Sequence, residues 1–287
     1  MLINILIIIS DSSVHNKLII HHSSLTPMTY PIYQVDAFTD QLFGGNPAAV
    51  VPLEEWIDEQ LMQKIASENN LSETAFYVKK NESFEIRWFT PLSEVNLCGH
   101  ATLASAFVIF NCPGFDRKAI PFYSPRSGDL SVTKNGDWFD LTFPSDNITE
   151  VKLTPELAGC FDKKPKVVFK GKTDYLFIYD NESDIRNIRA HLDQIAKFAR
   201  GIIVSAKGDN VDFVSRFFAP QVGVNEDPVT GSAHTTLIPY WSNLLSKNEL
   251  VAQQLSKRKG LLRCKNLNGK VVISGRGKLY LKGEIYV

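Results

Sequence analysis

Three ionisable side chains of this chain have neighbours that suit proton transfer: Glu73, His100 and Asp227. A group that moves a proton between carbon atoms acts first as a base and then as an acid, so a carboxyl group needs a pKa raised towards neutrality. Burial has that effect because it disfavours the charged form. Glu73 lies between Leu71 and Phe76 at the edge of a predicted strand, so we expect partial burial; an ordinary turn residue is the alternative.

His100 and Asp227 both lie where helices are predicted to begin. The run from His100 to Phe110 is apolar on nearly every side, which is typical of a helix buried in a core. The positive end of a helix disfavours protonation, so His100 would be a neutral hydrogen-bond donor, although a lone histidine there is also common as a core residue. Asp227 could orient a substrate amine or hydroxyl, or only complement a helix dipole.

Asn46 follows the glycine pair Gly44-Gly45. Such a segment either forms a tight turn that needs positive φ at a glycine or forms a loop whose backbone lines a cleft. Both interpretations stay open from the sequence.

Composition excludes several classes of function. The 287 residues contain 31 Lys plus Arg and 31 Asp plus Glu, without the basic run that nucleic-acid binding usually needs. The four cysteines have neither CxxC nor zinc-like spacing, which indicates a reduced, cytoplasmic protein without a metal site. The balanced charge therefore predicts no nucleic-acid or membrane partner. The sequence also contains no phosphate-binding glycine motif, so no cofactor is predicted.

Residues 1–27 are predicted to be an N-terminal extension outside the fold. The apolar run from Leu2 to Ile9 is too short to span a bilayer and lacks the flanks of a signal peptide. Met28 begins a segment typical of the start of a domain. An additional strand at residues 2–9 is the alternative.

The two halves of the chain resemble each other. Arg87-Trp88-Phe89-Thr90-Pro91 matches Arg216-Phe217-Phe218-Ala219-Pro220, and Val95-Asn96 matches Val224-Asn225. Each match then leads to a glycine that opens an apolar helix, Gly99 or Gly231. Helices are also predicted at 54–68 and 184–199, and a hairpin at Asn135-Gly136. This order indicates a duplicated α+β domain.

A cleft between two such halves is a usual place for a small-molecule site. The starts of both apolar helices would face this cleft, where free backbone N–H groups and helix dipoles favour an anion. A small-molecule carboxylate is therefore the expected ligand.

These motifs resemble the phenazine-biosynthesis (PhzF-like) family, within the diaminopimelate-epimerase-like superfold. The segments that carry the resemblance extend from Tyr33 to about Trp241 and read YQVDAFTDQLFGGNPAAVV, NLSETAFY, RWFTPLSEVNLCGHATLASA and RFFAPQVGVNEDPVTGSAH. The resemblance implies an α+β fold of two pseudo-symmetric domains, each an antiparallel sheet wrapped around a central helix. We expect residues 28–122 plus 275–287 in the first domain and 123–274 in the second.

The resemblance also implies a function and a site. The family catalyses cofactor-independent proton shifts, and its named member isomerises a dihydro-hydroxyanthranilate. The catalytic glutamate of the family corresponds to Glu73, and its supporting residues to His100 and Asp227. The implied substrate-binding residues are Asn46, Gly99, Gly231 and Ser232. Because the family often forms homodimers, a homodimer is implied here.

Two other functions stay open. Epimerases of this superfold use two thiols on opposite faces of the substrate, and Cys98 could be one of them. No cysteine stands in the matching segment of the second half, and Cys160 and Cys264 lie outside it, so this alternative is disfavoured. The other is a non-catalytic metabolite-binding protein of the same fold.

Overall fold

The computed structural model describes residues 28–287, so the predicted N-terminal extension lies outside the described residues. The first strands are β1 (Thr29–Ala37), β2 (Asn46–Leu53), β3 (Glu73–Lys80), β4 (Ser83–Phe89), β5 (Glu94–Val95), β6 (Ala119–Ser124), β7 (Gly128–Asn135) and β8 (Trp138–Pro144). The later strands are β9 (Thr149–Val151), β10 (Val167–Lys170), β11 (Tyr175–Ile178), β12 (Ile202–Lys207), β13 (Phe213–Phe218), β14 (Glu249–Gln254), β15 (Gly260–Asn266), β16 (Lys270–Gly275) and β17 (Gly277–Tyr286). The helices are α1 (Glu59–Asn69), α2 (Gly99–Phe110), α3 (Pro155–Ala158), α4 (Glu182–Asn187), α5 (Leu192–Phe198) and α6 (Gly231–Leu245), with a 3-10 helix at Pro220–Val222.

The strands repeat one order of pairing. In the first half β2 is parallel to β3, β3 antiparallel to β4, β4 parallel to β6, and β6, β7 and β8 follow antiparallel. In the second half β11, β12, β13, β14, β15 and β16 repeat that order. The predicted pseudo-symmetric α+β fold is therefore confirmed.

The sheets are mixed, which corrects the prediction that they would be antiparallel. Each parallel pair is joined through a helical connection: α1, α2, α4 with α5, or α6. Parallel neighbours need such a crossover, whereas antiparallel neighbours can be joined by a short turn. The alternating pattern of a half-buried strand is the same in both arrangements, so the sequence did not distinguish them.

The repeated arginines make matching ion pairs. Arg87 Nε lies 2.7 Å from Glu94 Oε1, and Arg216 Nε lies 2.7 Å from Glu226 Oε1. Glu94 therefore corresponds to Glu226. The next residue, Val95, then corresponds to Asp227 and not to Val224, so the predicted match of the Val-Asn pairs is wrong. The 3-10 helix Pro220–Val222 lengthens the second loop before its glutamate.

Both central helices lie in the core. The prediction of a buried helix at 100–110 is confirmed, since every residue of α2 from His100 to Phe110 except Phe107 is buried. Helix α6 is buried along one side and packs beside β14, β15 and β16. Among residues 28–287 we find no helix long and apolar enough to cross a bilayer.

The predicted helix at 184–199 is two helices, which is a second correction. Ile188 leaves the helical conformation with ψ 138°. The backbone N–H of Arg189 donates to Asp162 Oδ1 at 2.9 Å, and Ala190 forms a β-bridge with Phe161. Ile188, which lies between the two helices in sequence, is buried like the isoleucines of the helices. The apolar period therefore continues through the break, and the sequence predicts a single helix.

Both predicted domain boundaries, after residues 122 and 274, fall inside strands, in β6 and β16. Strand β8 pairs with β16 and joins the halves, while β17 pairs with β1 and returns the chain to its start. We propose from the repeated connectivity that the first domain comprises residues 28–144 plus 277–287 and the second residues 145–276.

Candidate active site

Four predicted site residues meet where the two halves face each other. Glu73 begins β3, next to the end of β2 that carries Asn46. His100 lies in the first turn of α2, and Asp227 lies in the loop that leads into α6. The hydrogen bonds and close contacts below connect these four side chains.

Glu73 and His100 form the closest charged contact of the site. His100 Nε2 lies 3.1 Å from Glu73 Oε2, and the Glu73 side chain is 17% exposed while that of His100 is 7% exposed. Neither atom has a well-aligned hydrogen-bond partner within residues 28–287. Each atom therefore keeps hydrogen-bonding capacity that no described residue satisfies with good geometry.

The structure corrects the expectation of a neutral His100. Burial by itself would lower the pKa of His100, but Cys98 at Nδ1 and Glu73 at Nε2 together outweigh burial and raise the pKa well above its ordinary value. Cys98 also faces the ring, but burial raises the pKa of its thiol, so it is uncharged near neutral pH. Glu73 is thus the charge that favours the imidazolium form.

Asn46 connects the first half to Asp227. Its Nδ2 donates to Asp227 Oδ1 and to the carbonyl oxygen of Val229, both at 2.9 Å. Nδ2 also lies 3.3 Å from His100 Nδ1. Asn46 is completely buried, and its Oδ1 has no partner in the described part of the chain.

Asp227 is an unusual acid because its carboxyl group is enclosed by protein. Burial raises its pKa to about 6, against the opposing effects of His100 and of the hydrogen bonds from Thr230 and Asn46. The residue as a whole keeps partial contact with solvent. Asp227 therefore changes charge close to physiological pH.

The starts of α2 and α6 touch each other. A Cβ atom built on Gly99 would lie 3.8 Å from Gly231 Cα. Cys98 and Thr230 precede these helices, and neither side chain caps the helix that follows it. Ser232 is exposed in the first turn of α6. The free N–H groups of both helices are thus grouped beside Glu73 and His100.

Cys98 occupies a buried position at this junction. Its Sγ lies 3.4 Å from His100 Nδ1, and donor atoms of Glu73, Cys98 and His100 all lie within 4.8 Å of one another. However, Cys98 approaches Nδ1 while Glu73 approaches Nε2, at opposite edges of the ring. A metal ion on either ring nitrogen would face only one of these two partners, which argues against a metal site here. The absence of a metal stays a prediction.

Sequence reasoning missed two residues next to Asp227. The Thr230 hydroxyl donates to Asp227 Oδ2 at 2.5 Å, and Gln254 Nε2 donates to the Asp227 carbonyl oxygen at 2.8 Å. A threonine before a helical glycine is a recognisable helix-start signal. Gln254 gave no signal, since it is one polar residue at the end of a strand.

The loop that precedes Asn46, from Phe38 to Gly44, lines a cavity of about 380 Å³. Its walls include Phe38, Phe43, Trp138 and Arg258, but not Glu73 or the other ionisable residues of the site. In the candidate site itself the two helix starts are in contact.

The two repeated halves form a two-domain α+β fold of the diaminopimelate-epimerase-like type. In agreement, a hydroxyproline epimerase from Agrobacterium vitis superposes with a TM-score of 0.59 at 6% identity over 90% of this chain and 93% of its own, which shows the fold alone.

The family is shown by closer matches. The family model for phenazine biosynthesis-like protein matches residues 35–283. An uncharacterised isomerase of Pseudomonas aeruginosa is 45% identical over 91% of this chain and 100% of its own length. The crystal structure of a PhzF family protein from Enterococcus faecalis has a TM-score of 0.88 at 45% identity, over 91% of this chain and 100% of that chain. The chain therefore belongs to the phenazine biosynthesis-like protein family, and the predicted enzyme class, isomerase, is confirmed.

Proposed function

We propose that the protein moves a proton between carbon atoms of a small carboxylic acid, with Glu73 as the group that carries the proton. The observation that carries this proposal is the 3.1 Å contact of Glu73 Oε2 with His100 Nε2, beside two helix starts. Both atoms are buried, and neither has a well-aligned hydrogen-bond partner among the described residues. Family membership and the isomerase names of relatives support it.

The substrate carboxylate would bind at the paired helix starts. The first N–H groups of a helix have no partner within it, and the positive ends of two helix dipoles favour an anion there. Gly99, Gly231 and Ser232 supply these N–H groups. Since the side chains of Cys98 and Thr230 leave them uncapped, a ligand can accept their hydrogen bonds.

The reaction needs one base on one face of the substrate. The Glu73 carboxylate takes a proton from one carbon, and the electron pair left behind spreads into the adjacent unsaturated system. Glu73, now a carboxylic acid, returns the proton to another carbon. His100, as imidazolium, donates a hydrogen bond to the charge that develops, and Asp227 accepts one from a substrate amine or hydroxyl. Asn46 Oδ1 offers a second acceptor.

The asymmetry of the two halves supports one base rather than two. Phe76 pairs with Arg87 and Val204 pairs with Arg216, so Gly201 corresponds to Glu73. Ser232 likewise corresponds to His100, since each follows the first glycine of its helix.

The racemase alternative lacks its second thiol. Thr230 stands at the position that corresponds to Cys98, and its hydroxyl proton is donated to Asp227. Cys160 and Cys264 are buried elsewhere in the described structure. Our proposal includes cofactor independence and a homodimer, as the family resemblance implies, and a cytoplasmic location, as the cysteine pattern indicates.

Solvent deuterium incorporation tests this function. The candidate substrates are small cyclic or amino-bearing carboxylic acids, including dihydro-hydroxyanthranilate, incubated with enzyme in heavy water and followed by NMR. We expect wild type to label a carbon position of at least one of them. Glu73→Gln, which keeps the shape and removes the base, should reduce labelling at least ~100-fold, the lower range for general acid–base catalysis.

Glu68→Gln is the matched control, because Glu68 is an exposed glutamate on the neighbouring α1. It should label at the wild-type rate. Equal labelling by wild type and Glu73→Gln would refute the role of Glu73. A ligand that raises the melting temperature of wild type without any labelling would instead favour the metabolite-binding alternative.

A further inference from the structure

Gln254 has all of its amide hydrogen-bonding groups committed to the Asp227 loop. Its Oε1 accepts from the Thr230 N–H at 2.9 Å, and its Nε2 donates to the Asp227 carbonyl oxygen at 2.8 Å and to Thr230 Oγ1 at 3.1 Å. The orientation of this amide is fixed by chemistry, because a backbone N–H can only donate and a carbonyl oxygen can only accept. Gln254 is completely buried, so water does not compete for these groups.

This orientation determines where the Thr230 hydroxyl proton points. Since Thr230 Oγ1 accepts from Gln254, its single proton must be directed elsewhere, and it meets Asp227 Oδ2 at 2.5 Å. Asn46 Nδ2 donates to the other oxygen, Oδ1, at 2.9 Å. Each oxygen of the Asp227 carboxyl group thus faces a donor.

The first half has neither the acid nor its support. Asp227 follows Glu226, the partner of Arg216, as Val95 follows Glu94. Gln254 pairs with Ser215, the residue before Arg216. In the first half Glu85 pairs with Tyr123, so the residue before Arg87 lies opposite Ser124, which therefore matches Gln254. Serine is too short to make the bonds of Gln254. The acid and the glutamine therefore occur together in one half and are both replaced in the other.

We propose that Gln254 is a positioning residue of the active site: through the Thr230 hydroxyl it keeps Asp227 a hydrogen-bond acceptor towards the substrate. This inference rests on the proposed function, because that function makes Asp227 a substrate ligand. Its test does not need a substrate. A proton on either Asp227 oxygen would have to face a donor, so the hydrogen bonds from Thr230 and Asn46 favour the ionised carboxylate.

The other groups that face Asp227 act in both directions. His100 on α2 favours the ionised form, and Glu73 on β3 opposes it. Asn46 on β2 donates a hydrogen bond, as does Thr230 on the same loop as Asp227. Burial favours the neutral form, so removing one donor should be measurable against this background.

The test is the titration of Asp227 in the full chain, labelled with ¹³C at the aspartate carboxyl carbons and followed by NMR. Thr230→Val removes the hydroxyl and keeps the shape, so the Asp227 midpoint should rise by about one pH unit. Thr230→Ser keeps the hydroxyl and should keep the wild-type midpoint. Gln254→Met should raise the midpoint in the same direction, and the double variant should not exceed Thr230→Val.

An unchanged midpoint in Thr230→Val would overturn the inference, as would a rise in Thr230→Val that Gln254→Met does not share. A purely structural role predicts a lower melting temperature without a shifted midpoint. If Gln254→Met does not fold, Gln254→Ser, which places the residue of the matching position Ser124, removes the same hydrogen bonds without adding a charge, and the rise it causes must shrink in the Thr230→Val background. Since no substrate is needed, this result is separate from the labelling result for Glu73→Gln.

Discussion

Gly99 and Gly231 face each other at the starts of α2 and α6, so closely that a Cβ atom on Gly231 would lie 3.7 Å from Gly99 Cα. That separation is an ordinary van der Waals contact, and neither glycine is among those with positive φ. The backbone would therefore tolerate a side chain at either position. What glycine provides here is the close approach of the two helix starts, which groups their first N–H groups.

Gly99→Ala and Gly231→Ala should separate stability from binding. Alanine restricts the unfolded chain, so the free energy of unfolding in urea should stay the same or rise by up to about 1 kcal/mol. The methyl group would lie against the opposite helix start, beside the N–H groups that the carboxylate would bind, so KM for the carboxylate found in the labelling screen should rise about tenfold, or about 1.4 kcal/mol.

Gly159→Ala is the control for a glycine at a helix end away from the site. Its Cβ atom would lie 3.4 Å from the Pro155 carbonyl oxygen, so it should fold and should leave KM unchanged. Alanine variants of Gly99 and Gly231 that bind the carboxylate as tightly as wild type would refute the placement of the anion at the helix starts.

His100 should be an imidazolium at pH 7 because the negative charge of Glu73 lies beside its Nε2. In Glu73→Gln this charge is gone and burial dominates, so the His100 midpoint should fall below about 6.5, its unperturbed value. Cys98→Ser should leave the midpoint above that value, since the buried thiol is uncharged. Nitrogen-15 NMR of labelled histidine measures all three proteins.

The sign of the linked stability follows from this. A histidine whose pKa is raised by folding stabilises the protein fully below about pH 6.5, and this contribution is lost as the pH rises through its folded pKa. The pH dependence of unfolding in this upper range should therefore be weaker in Glu73→Gln than in wild type. If Cys98→Ser lowers the His100 midpoint and Glu73→Gln does not, Glu73 is not the charge that raises the pKa of His100.

Asp227 should lower the stability of the native protein at neutral pH. Folding raises its pKa from 3.8 to about 6, so ionisation disfavours the folded state, and stability should fall as the pH rises from 3.8 to about 6. Asp227→Asn removes this cost and should raise the free energy of unfolding at pH 7 by up to about 3 kcal/mol. Near pH 3 the two proteins should be similar.

Urea unfolding across this pH range measures the effect, and the activity of Asp227→Asn should fall while its stability rises. Such a trade-off is expected where a site holds a group that the fold would not otherwise bury. Equal slopes for the two proteins between pH 4 and 6 would show that Asp227 is not the group that titrates.

The sequence indicated much of this architecture because repeated motifs have repeated structural roles. The arginines Arg87 and Arg216 each bind a glutamate, and both apolar helices begin at a glycine. Their order predicted the two halves and that both helix starts would face the cleft between them. Parallel pairing and the break at Ile188 were not predictable, because strand alternation and helical period do not show how a segment is connected in space.

The site was predictable only in part. Types and motifs pointed to Glu73, His100 and Asp227, but the charge of His100 depends on Glu73, which is 27 positions away in sequence. Gln254 acts through hydrogen bonds from another strand. Interactions that arise from folding alone leave no local pattern in the chain, so the expected protonation of His100 was wrong and the role of Gln254 went unseen.

Arg258 fastens the loop that carries Asn46. Its Nε donates to the Gly45 carbonyl oxygen at 2.9 Å, and its NH2 group donates to the Gly44 carbonyl oxygen and to Asp36 Oδ1, both at 2.7 Å. Asp36 is buried, and burial raises its pKa although Arg258 and a backbone N–H oppose this. Arg258 belongs to the second half and Asp36 to the first, so this contact holds the halves together beside the site.

Arg258→Met should lower the free energy of unfolding in urea at pH 7 by about 3–5 kcal/mol, because it leaves a buried carboxylate without its partner. Adding Asp36→Asn should recover part of this loss, and lowering the pH until Asp36 is protonated should do the same. Arg263→Met is the control: Arg263 is exposed and stacks on Trp138 at 4.1 Å, so its loss should cost about 0.5–1 kcal/mol. If Arg258→Met and Arg263→Met cost the same, Arg258 does not fasten the loop.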